Sequence, residues 1–203
     1  MSRPLIIGLT GSIAMGKSTV AQMLKDEGVP VFDADAVVHI LQGPGGALVD
    51  EIEATFPGTT GPAGVNRQAL GAAVLGNPAK LAQLEAIVHP AVAAMRNAFL
   101  ADNAEQPILV FDIPLLFEKG GNTSVEHVVV VSAPADQQRQ RALARLGMTA
   151  EKFDHILKLQ MPDAEKRKRA GTVIDTGLSI AETHGQVKAL VKNLRASLAQ
   201  SDK

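Results

Sequence analysis

The stretch that most limits how this chain can fold is residues 5–19, Leu-Ile-Ile-Gly-Leu-Thr-Gly-Ser-Ile-Ala-Met-Gly-Lys-Ser-Thr. Leu5 to Leu9 is an apolar run that reads as a buried strand, and the stretch from Thr19 to Leu24 reads as a helix start. Between them stands Gly11-x-x-x-x-Gly16-Lys17-Ser18. Strand, glycine-bounded loop and helix in that order form the context a P-loop requires. Gly11 and Gly16 are expected to supply backbone angles that turn successive N–H groups inward around a phosphate chain. The helix start adds its positive dipole end and its unpaired N–H groups. Gly11, Ser12, Ile13, Ala14, Met15, Gly16, Lys17, Ser18 and Thr19 are thus the expected nucleotide contacts. Lys17 reaches for the β- and γ-phosphates, and Ser18 offers a hydroxyl to Mg²⁺. The bland alternative is a glycine-rich turn with an exposed lysine. The flanking strand and helix favour a seat for a nucleoside triphosphate.

Bulk properties narrow the partners. A chain of 203 residues makes one large domain, or one domain with an insertion. A net charge of −1 gives no electrostatic pull toward nucleic acid or an anionic membrane. Aromatic residues make up 3%, with neither Trp nor Tyr, which argues against a base-stacking platform. Cysteine is absent, so disulfides, thiolate metal sites and a cysteine nucleophile are excluded. Strand-like sequence begins within about four residues of the start, and no apolar run nears the roughly 20 residues of a membrane span. The expectation is a soluble, cytoplasmic protein.

Further strands are expected at Pro30–Phe32, Ile108–Phe111, Val128–Val131 and Thr172–Asp175, giving five parallel strands with crossover helices. Asp33-Ala34-Asp35 ends the second. In open α/β sheets ligands sit beyond the carboxyl ends of strands, so Asp33 is placed at the site and Asp35 nearer a helix cap, although a cap is an equally simple role for either acid. Asp112 closes the third strand and is either a Mg²⁺-side acid or the cap of a helix beginning at Pro114. Between strands two and three, roughly 70 residues (36–105) read as a helical insertion without strands, far more than a plain crossover needs. It comprises segments near Val37–Leu41, Ala47–Phe56, Arg67–Leu75, Pro78–Val88 and Pro90–Leu100, with Pro57–Val65 as a loop. His89 precedes Pro90, which predicts a helix boundary there, with His89 either pointing at a ligand or packing the junction. His39, on an apolar helix, reads as structural.

Arg141 and Arg145 are spaced to share one face of a helix, where they either meet phosphoryl charge or face solvent. Lys166-Arg167-Lys168-Arg169 spans every helix face, so most of it is expected in water. An amphipathic helix over Ser179–Leu198 closes the chain. The guanine-specific Asn-Lys-x-Asp and the switch Asp-x-x-Gly of GTPases are missing from the sequence.

With these elements in hand, the chain resembles the dephospho-CoA kinase family. The likeness rests on Gly8 through Thr19, Phe32-Asp33-Ala34-Asp35, Leu84-Glu85-x-Ile87-x-His89-Pro90, Pro114-Leu115-Leu116-Phe117-Glu118, Gln138-x-x-Arg141-x-x-x-Arg145, Gln160-Met161-Pro162 and Val173-Ile174-Asp175, in order along nearly the whole chain. The resemblance implies an α/β P-loop kinase with a five-stranded parallel sheet flanked by helices, plus a helical substrate-binding insertion and a lid. It places the nucleotide-binding core at 1–35 and 106–203, the lid helices at about 139–170 and the CoA-binding insertion at 36–105. The implied reaction moves the γ-phosphoryl of ATP to the ribose 3′-hydroxyl of dephospho-CoA, with Mg²⁺, giving CoA and ADP. By position, Asp33, Lys17 and Arg141 would be catalytic, Arg145 a nucleotide contact, and Asp33, His89, Asp112, Leu115 and Arg141 substrate contacts. Ser18 and Asp112 would serve the metal. The implied partners are dephospho-CoA and ATP, without nucleic acid or membrane, in a monomer or weak homo-oligomer.

Three positions depart from the family's habit. Ala14-Met15 stands where Gly-Ser is common, Ser12 replaces a frequent glycine, and Thr176 stands where Asn is frequent. The first two are expected to matter little; the third leaves the adenine-side contact open. Two rivals remain: a kinase of another small acceptor such as a nucleoside monophosphate, and a non-catalytic nucleotide-dependent regulator. The insertion lacks a matching arginine pattern for the first, and retention of the candidate catalytic positions argues against the second.

Overall fold

The computed structural model describes residues 3–118 and 120–201. Both ends of the expected core range, residues 1–2 and 202–203, lie outside the described residues, as does residue 119. By packing, the chain up to Phe32 and from Asn103 onward forms one compact unit, and Asp33–Asp102 forms another.

The first unit is built on β1 (Leu5–Gly11), β2 (Val31–Asp33, whose last residue opens the second unit), β5 (Ile108–Asp112), β6 (His127–Ser132) and β7 (Thr172–Asp175), in the sheet order β2-β5-β1-β6-β7. β1 runs parallel to both β5 and β6, and β6 runs parallel to β7. The central strands are continuous apolar runs because both faces are covered: Leu9, Val110, Val129 and Val131 have no exposed surface. They form one core with Val20 and Leu24 of α1 (Lys17–Asp26) and Val187 and Val191 of α9 (Ile180–Ser201). Each such side chain contributes about 1.5–3 kcal/mol by leaving water.

Local chemistry sets the helix ends. α1 stops in a Schellman motif, with Gly28 N–H bonded to Lys25 O at 2.9 Å and Val29 N–H to Leu24 O at 3.0 Å. α9 begins in a reciprocal capping box: Ser179 N–H donates to Glu182 at 3.0 Å, and Glu182 N–H donates to Ser179 Oγ at 3.3 Å. The Ser179 hydroxyl, which donates to the same carboxylate at 2.6 Å, and then the Ser179 N–H hold the Glu182 carboxyl below its ordinary range. Three shorter helices complete the unit, α6 (Ala135–Leu143), α7 (Ala150–Leu159) and α8 (Asp163–Arg169).

The second unit contains α2 (Ala34–Gln42), α3 (Val49–Thr55), β3 (Thr60–Gly61), β4 (Gly64–Val65), α4 (Arg67–Val74) and α5 (Pro78–Asp102). The expectation of an insertion without strands fails at one point, since β3 and β4 pair as a tight antiparallel hairpin. Two residues per strand are too few to show a period. Glu53 holds the hairpin's entry, accepting Gly58 N–H at 2.7 Å and both the N–H and hydroxyl of Thr60.

The larger correction concerns Pro90. The segments expected to break at His89-Pro90 form one helix of 25 residues, with Pro90 inside it. A proline there removes one bond to the carbonyl four residues back and crowds it. None of the residues of α5 is buried, so water is at hand for the released carbonyl of Ala86. The pre-proline preference is a bias that a helix packed along α2, α3 and α4 overrides. No helix among the described residues is long and apolar enough to cross a membrane.

Candidate active site

β1 delivers the chain into the loop of residues 11–16 beside the carboxyl end of β6, where Gly11 lies opposite Val131. Gly11 is required here for a different reason from the one the motif suggests. Its backbone is not left-handed; instead a Cβ would lie 2.3 Å from Val131 Cγ2 and 3.0 Å from Val131 O. The left-handed angles fall at Gly16 (φ 84°), which caps α1, and at Ala14 (φ 61°), a non-glycine residue in that region. The Ala14 departure is therefore less innocent than its sequence suggests, because the backbone position asks for glycine.

Met15 is buried, and its Sδ accepts Ala133 N–H at 3.1 Å. Ser12 is buried too, whereas Ser18 and Thr19 lie exposed on the first turn of α1. Lys17 Nζ donates to Asp112 Oδ1, joining the head of α1 to the end of β5. Asp112 is 2% exposed. Residues 114–118 form a turn rather than a helix, so the capping role weighed for Asp112 is ruled out. Leu115 lies in that turn, half-buried.

The two arginines reach one cavity of about 270 Å³, lined with Ala14, Gly16, Thr19, Arg141, Arg145 and Thr176. They do so without sharing a helix face. α6 ends at Leu143, and Arg145 sits in the following turn with its N–H bonded to Ala142 O. Arg141 NH2 donates to Thr176 O at 2.8 Å and to Gln137 Oε1 at 3.2 Å. Thr176 in turn donates its hydroxyl to Met15 O at 2.7 Å, tying the end of β7 to the loop. A larger cavity of about 540 Å³ opens beside Ser132, Asp163 and Arg167. The smaller one is the better seat for a triphosphate, since loop glycine, helix start and two cations converge there.

The sequence puts Asp33 at the site and Asp35 nearer the cap, with a cap open to either acid. Asp33 itself caps α2, accepting Ala36 N–H on Oδ1 at 2.9 Å, and Asp35 lies in the first turn. The N–H three residues past a cap is the one its side chain meets, which selects Asp33. The bond uses one carboxylate oxygen and fixes the side chain without consuming the other. His89 lies exposed in mid-α5. His39 is exposed and meets the Arg67 guanidinium.

Several residues support the site in ways that the sequence does not show. Lys166, inside the basic run expected in water, is wholly buried and pairs with Glu118 at 2.8 Å. Glu118 also accepts Met161 N–H at 2.8 Å. Burial pushes the Glu118 carboxyl up, but Lys166 and that N–H outweigh it and hold the group below its ordinary range. Gln138 and Gln160 grip the loop at Ile13, by bonds of 2.8 and 3.0 Å. Both glutamines stand in motifs that carry the family resemblance, but their grip on the loop shows only in the assembled fold.

Residues 5–182 match the model of the dephospho-CoA kinase family. A dephospho-CoA kinase of Novosphingobium aromaticivorans is 66% identical over 195 residues, spanning 96% of this chain and 97% of that protein. Among solved structures, TT1252 from Thermus thermophilus superposes with a TM-score of 0.81 at 36% identity, covering 95% of this chain and 99% of that one. A dephospho-CoA kinase from Campylobacter jejuni gives a TM-score of 0.66 at 22% identity, covering 95% and 98%, a likeness of fold. Matches of this extent and identity make the chain a member of the dephospho-CoA kinase family.

Proposed function

We propose that this protein transfers the γ-phosphoryl group of ATP to the ribose 3′-hydroxyl of dephospho-CoA, releasing ADP and CoA as the last step of CoA synthesis. The observation that carries the reading is the convergence on one cavity of the loop glycine, the start of α1, Arg141 and Arg145. The acceptor follows from the family and from the 66% identical relative. In this reading residues 36–105 hold the CoA moiety, with His89 on the substrate side, and helices within about 139–170 form a lid.

Phosphoryl transfer asks the protein for positioning and charge more than for covalent chemistry. The N–H groups of the loop and of the first turn of α1 hold the phosphates. Lys17, poised on Asp112, has its ammonium at the head of α1 for β- and γ-phosphate oxygens. Arg141 is held by the Thr176 carbonyl, so its guanidinium is oriented before substrate arrives. Arg145 adds a second cation to the same wall. Asp33 takes the proton of the attacking hydroxyl on the oxygen that does not cap α2, while the bond from the bridging oxygen to the γ-phosphorus breaks toward ADP. Asp112 and Leu115 border the transferred group.

Mg²⁺ fits the residues present. Among the described residues no cluster of three acids or histidines could enclose a metal. Mg²⁺ at phosphates needs only a few protein oxygens, since phosphate and water supply the rest. Ser18 and Asp112 would hold it, and it would neutralise charge on the β- and γ-oxygens. The same reading makes this a cytoplasmic monomer or weak homo-oligomer acting on two small molecules.

The test is ADP release by the purified protein with Mg-ATP and dephospho-CoA, beside AMP, CMP and no acceptor. Acceptor-dependent turnover with dephospho-CoA supports the proposal. Turnover with AMP or CMP alone would replace the acceptor, and ATP binding without any turnover would reduce the protein to a regulator.

A further inference from the structure

Ile13 is held on both sides by glutamines from the helices behind it. Its N–H donates to Gln160 Oε1 at 3.0 Å, and its carbonyl accepts from Gln138 Nε2 at 2.8 Å. Gln138 is 5% exposed on α6, and Gln160 ends α7. The second bond fixes the peptide between Ile13 and Ala14, and the rotation of that peptide against the Ala14 Cα is the φ angle found at 61°. An L residue pays for that left-handed angle with a roughly five- to thirtyfold lower population. Something must hold it there, and the two glutamines act on the peptides that precede it. Packing assists: Ala14 is buried with Ala142 and Phe153, and Ile13, Met148 and Leu157 close around them. So α6 and α7 grip the loop by a peptide clamp and a small apolar cluster together.

We propose that Gln138 and Gln160 are positioning residues that hold the Ile13 peptides, keep Ala14 left-handed and so keep the loop's N–H groups aimed at the nucleotide phosphates. α6 also carries Arg141, so the clamp links the placement of that arginine to the shape of the phosphate loop. The inference rests on the reading of this loop as the nucleotide's seat and adds the residues that hold it in shape.

The experiment uses the full chain and measures ADP affinity by calorimetry, together with KM for ATP and for dephospho-CoA. Gln160→Leu and Gln138→Leu each remove one bond, and each is expected to weaken ADP binding about tenfold, the effect of leaving a partly buried peptide group unpaired. KM for ATP rises with it, and KM for dephospho-CoA stays put. The decisive arm adds Ala14→Gly. Glycine takes positive φ without being held, so the ADP loss caused by Gln160→Leu shrinks to about threefold or less in the Ala14→Gly background. An equal loss in both backgrounds, or unchanged ADP affinity in a folded Gln160→Leu variant, overturns the proposal. If the Gln138→Leu variant does not fold, Gln160→Leu, on a partly exposed side chain, decides alone. Absence of dephospho-CoA turnover in the unmodified protein would refute the acceptor while leaving the ADP arms intact.

Discussion

The two compact units are held together by different means. In the first, Leu9, Leu109, Val110, Val129, Val130 and Val131 have no exposed surface, and the strands they belong to fix where Gly11, Lys17 and Asp112 stand. In the second, the longest helix buries none of its 25 residues, and Leu81 and Met95 remain 42% and 39% exposed. Its buried apolar side chains, Ile52, Leu48, Phe56, Leu70 and Val74 among them, come from the shorter helices and the turns beside them, and side-chain caps add to them: Asp33 on α2, Asn66 on α4 and Asn77 on α5. A packed sheet holds a backbone to within a fraction of an ångström, because any shift opens a void or makes a clash. Capped, exposed helices are individually weaker and open locally at lower cost. Under the proposed function, the first style suits a phosphate seat that must be preformed, and the second suits a surface that adjusts to a large acceptor.

The largest effect is expected at Asp33, where the observed cap and the proposed chemistry meet in one side chain. Asn is as good a cap as Asp. Asp33→Asn should therefore leave unfolding free energy within a few tenths of a kcal/mol, yet cut dephospho-CoA-dependent ADP release by about 10²–10⁴. Steady-state turnover and a denaturant titration on the same preparation check both halves. A variant that keeps its activity would confine Asp33 to the cap.

Next in size is a pair of identical substitutions with opposite signs. Gly11→Ala forces a Cβ to 2.3 Å from Val131 Cγ2. Overpacking of this kind costs about 1–3 kcal/mol. Adding Val131→Ala should recover part of it, since the nearest atom is gone while Val131 O stays at 3.0 Å. Gly71→Ala in α4 meets only Leu75 Cδ1 at 3.7 Å, an ordinary contact. There alanine is expected to stabilise by about 0.5–1 kcal/mol, the usual gain in a helix interior. Denaturant midpoints with unchanged slopes measure all three, and equal signs at the two glycines would erase the contrast between the units. In the same series Pro90→Ala should gain about 1 kcal/mol, less than the full cost of a helical proline because proline also stiffens the unfolded chain.

How much of this could be read from the sequence follows the same division. The strands ending in Gly11, Asp112, Ser132 and Asp175 were legible because continuous β-branched and aliphatic runs have few other uses. The loop was legible because its spacing is dictated by phosphate geometry. The single α5 was not, since the pre-proline rule is local and the packing that overrides it is not. Glu118 and Lys166 lie far apart in sequence, and no pattern in a run of four basic residues marks the one that turns inward. The start of α9 was legible to within one residue, and the spacing of Ser179 and Glu182 gives its reason, a capping box. Why Gly11 is glycine needed Val131 on the neighbouring strand.

The smallest expected effect separates the units by pH. His127 at the start of β6 packs against Gly171, where a Cβ would lie 2.6 Å from the ring, and its Nε2 meets Thr172 Oγ1 at 2.9 Å. Burial lowers its pKa below the usual 6.5, so the folded chain binds the proton less readily than the unfolded one. The first unit should therefore begin to lose stability as pH falls below 6.5. Glu53 in the second unit is held below 4.5, chiefly by the Gly58 N–H and then by the Thr60 hydroxyl. Its contribution is present above that value and is lost only as pH falls through the depressed one. Hydrogen exchange followed at β6 and at residues 58–60 on both sides of pH 6.5 reads the two responses separately. Protection at β6 should weaken first, and His127→Gln should remove that early loss while leaving the later one in place. Parallel loss in both regions would mean that the two units unfold as one below neutral pH, and the division drawn from their packing would not extend to their stability.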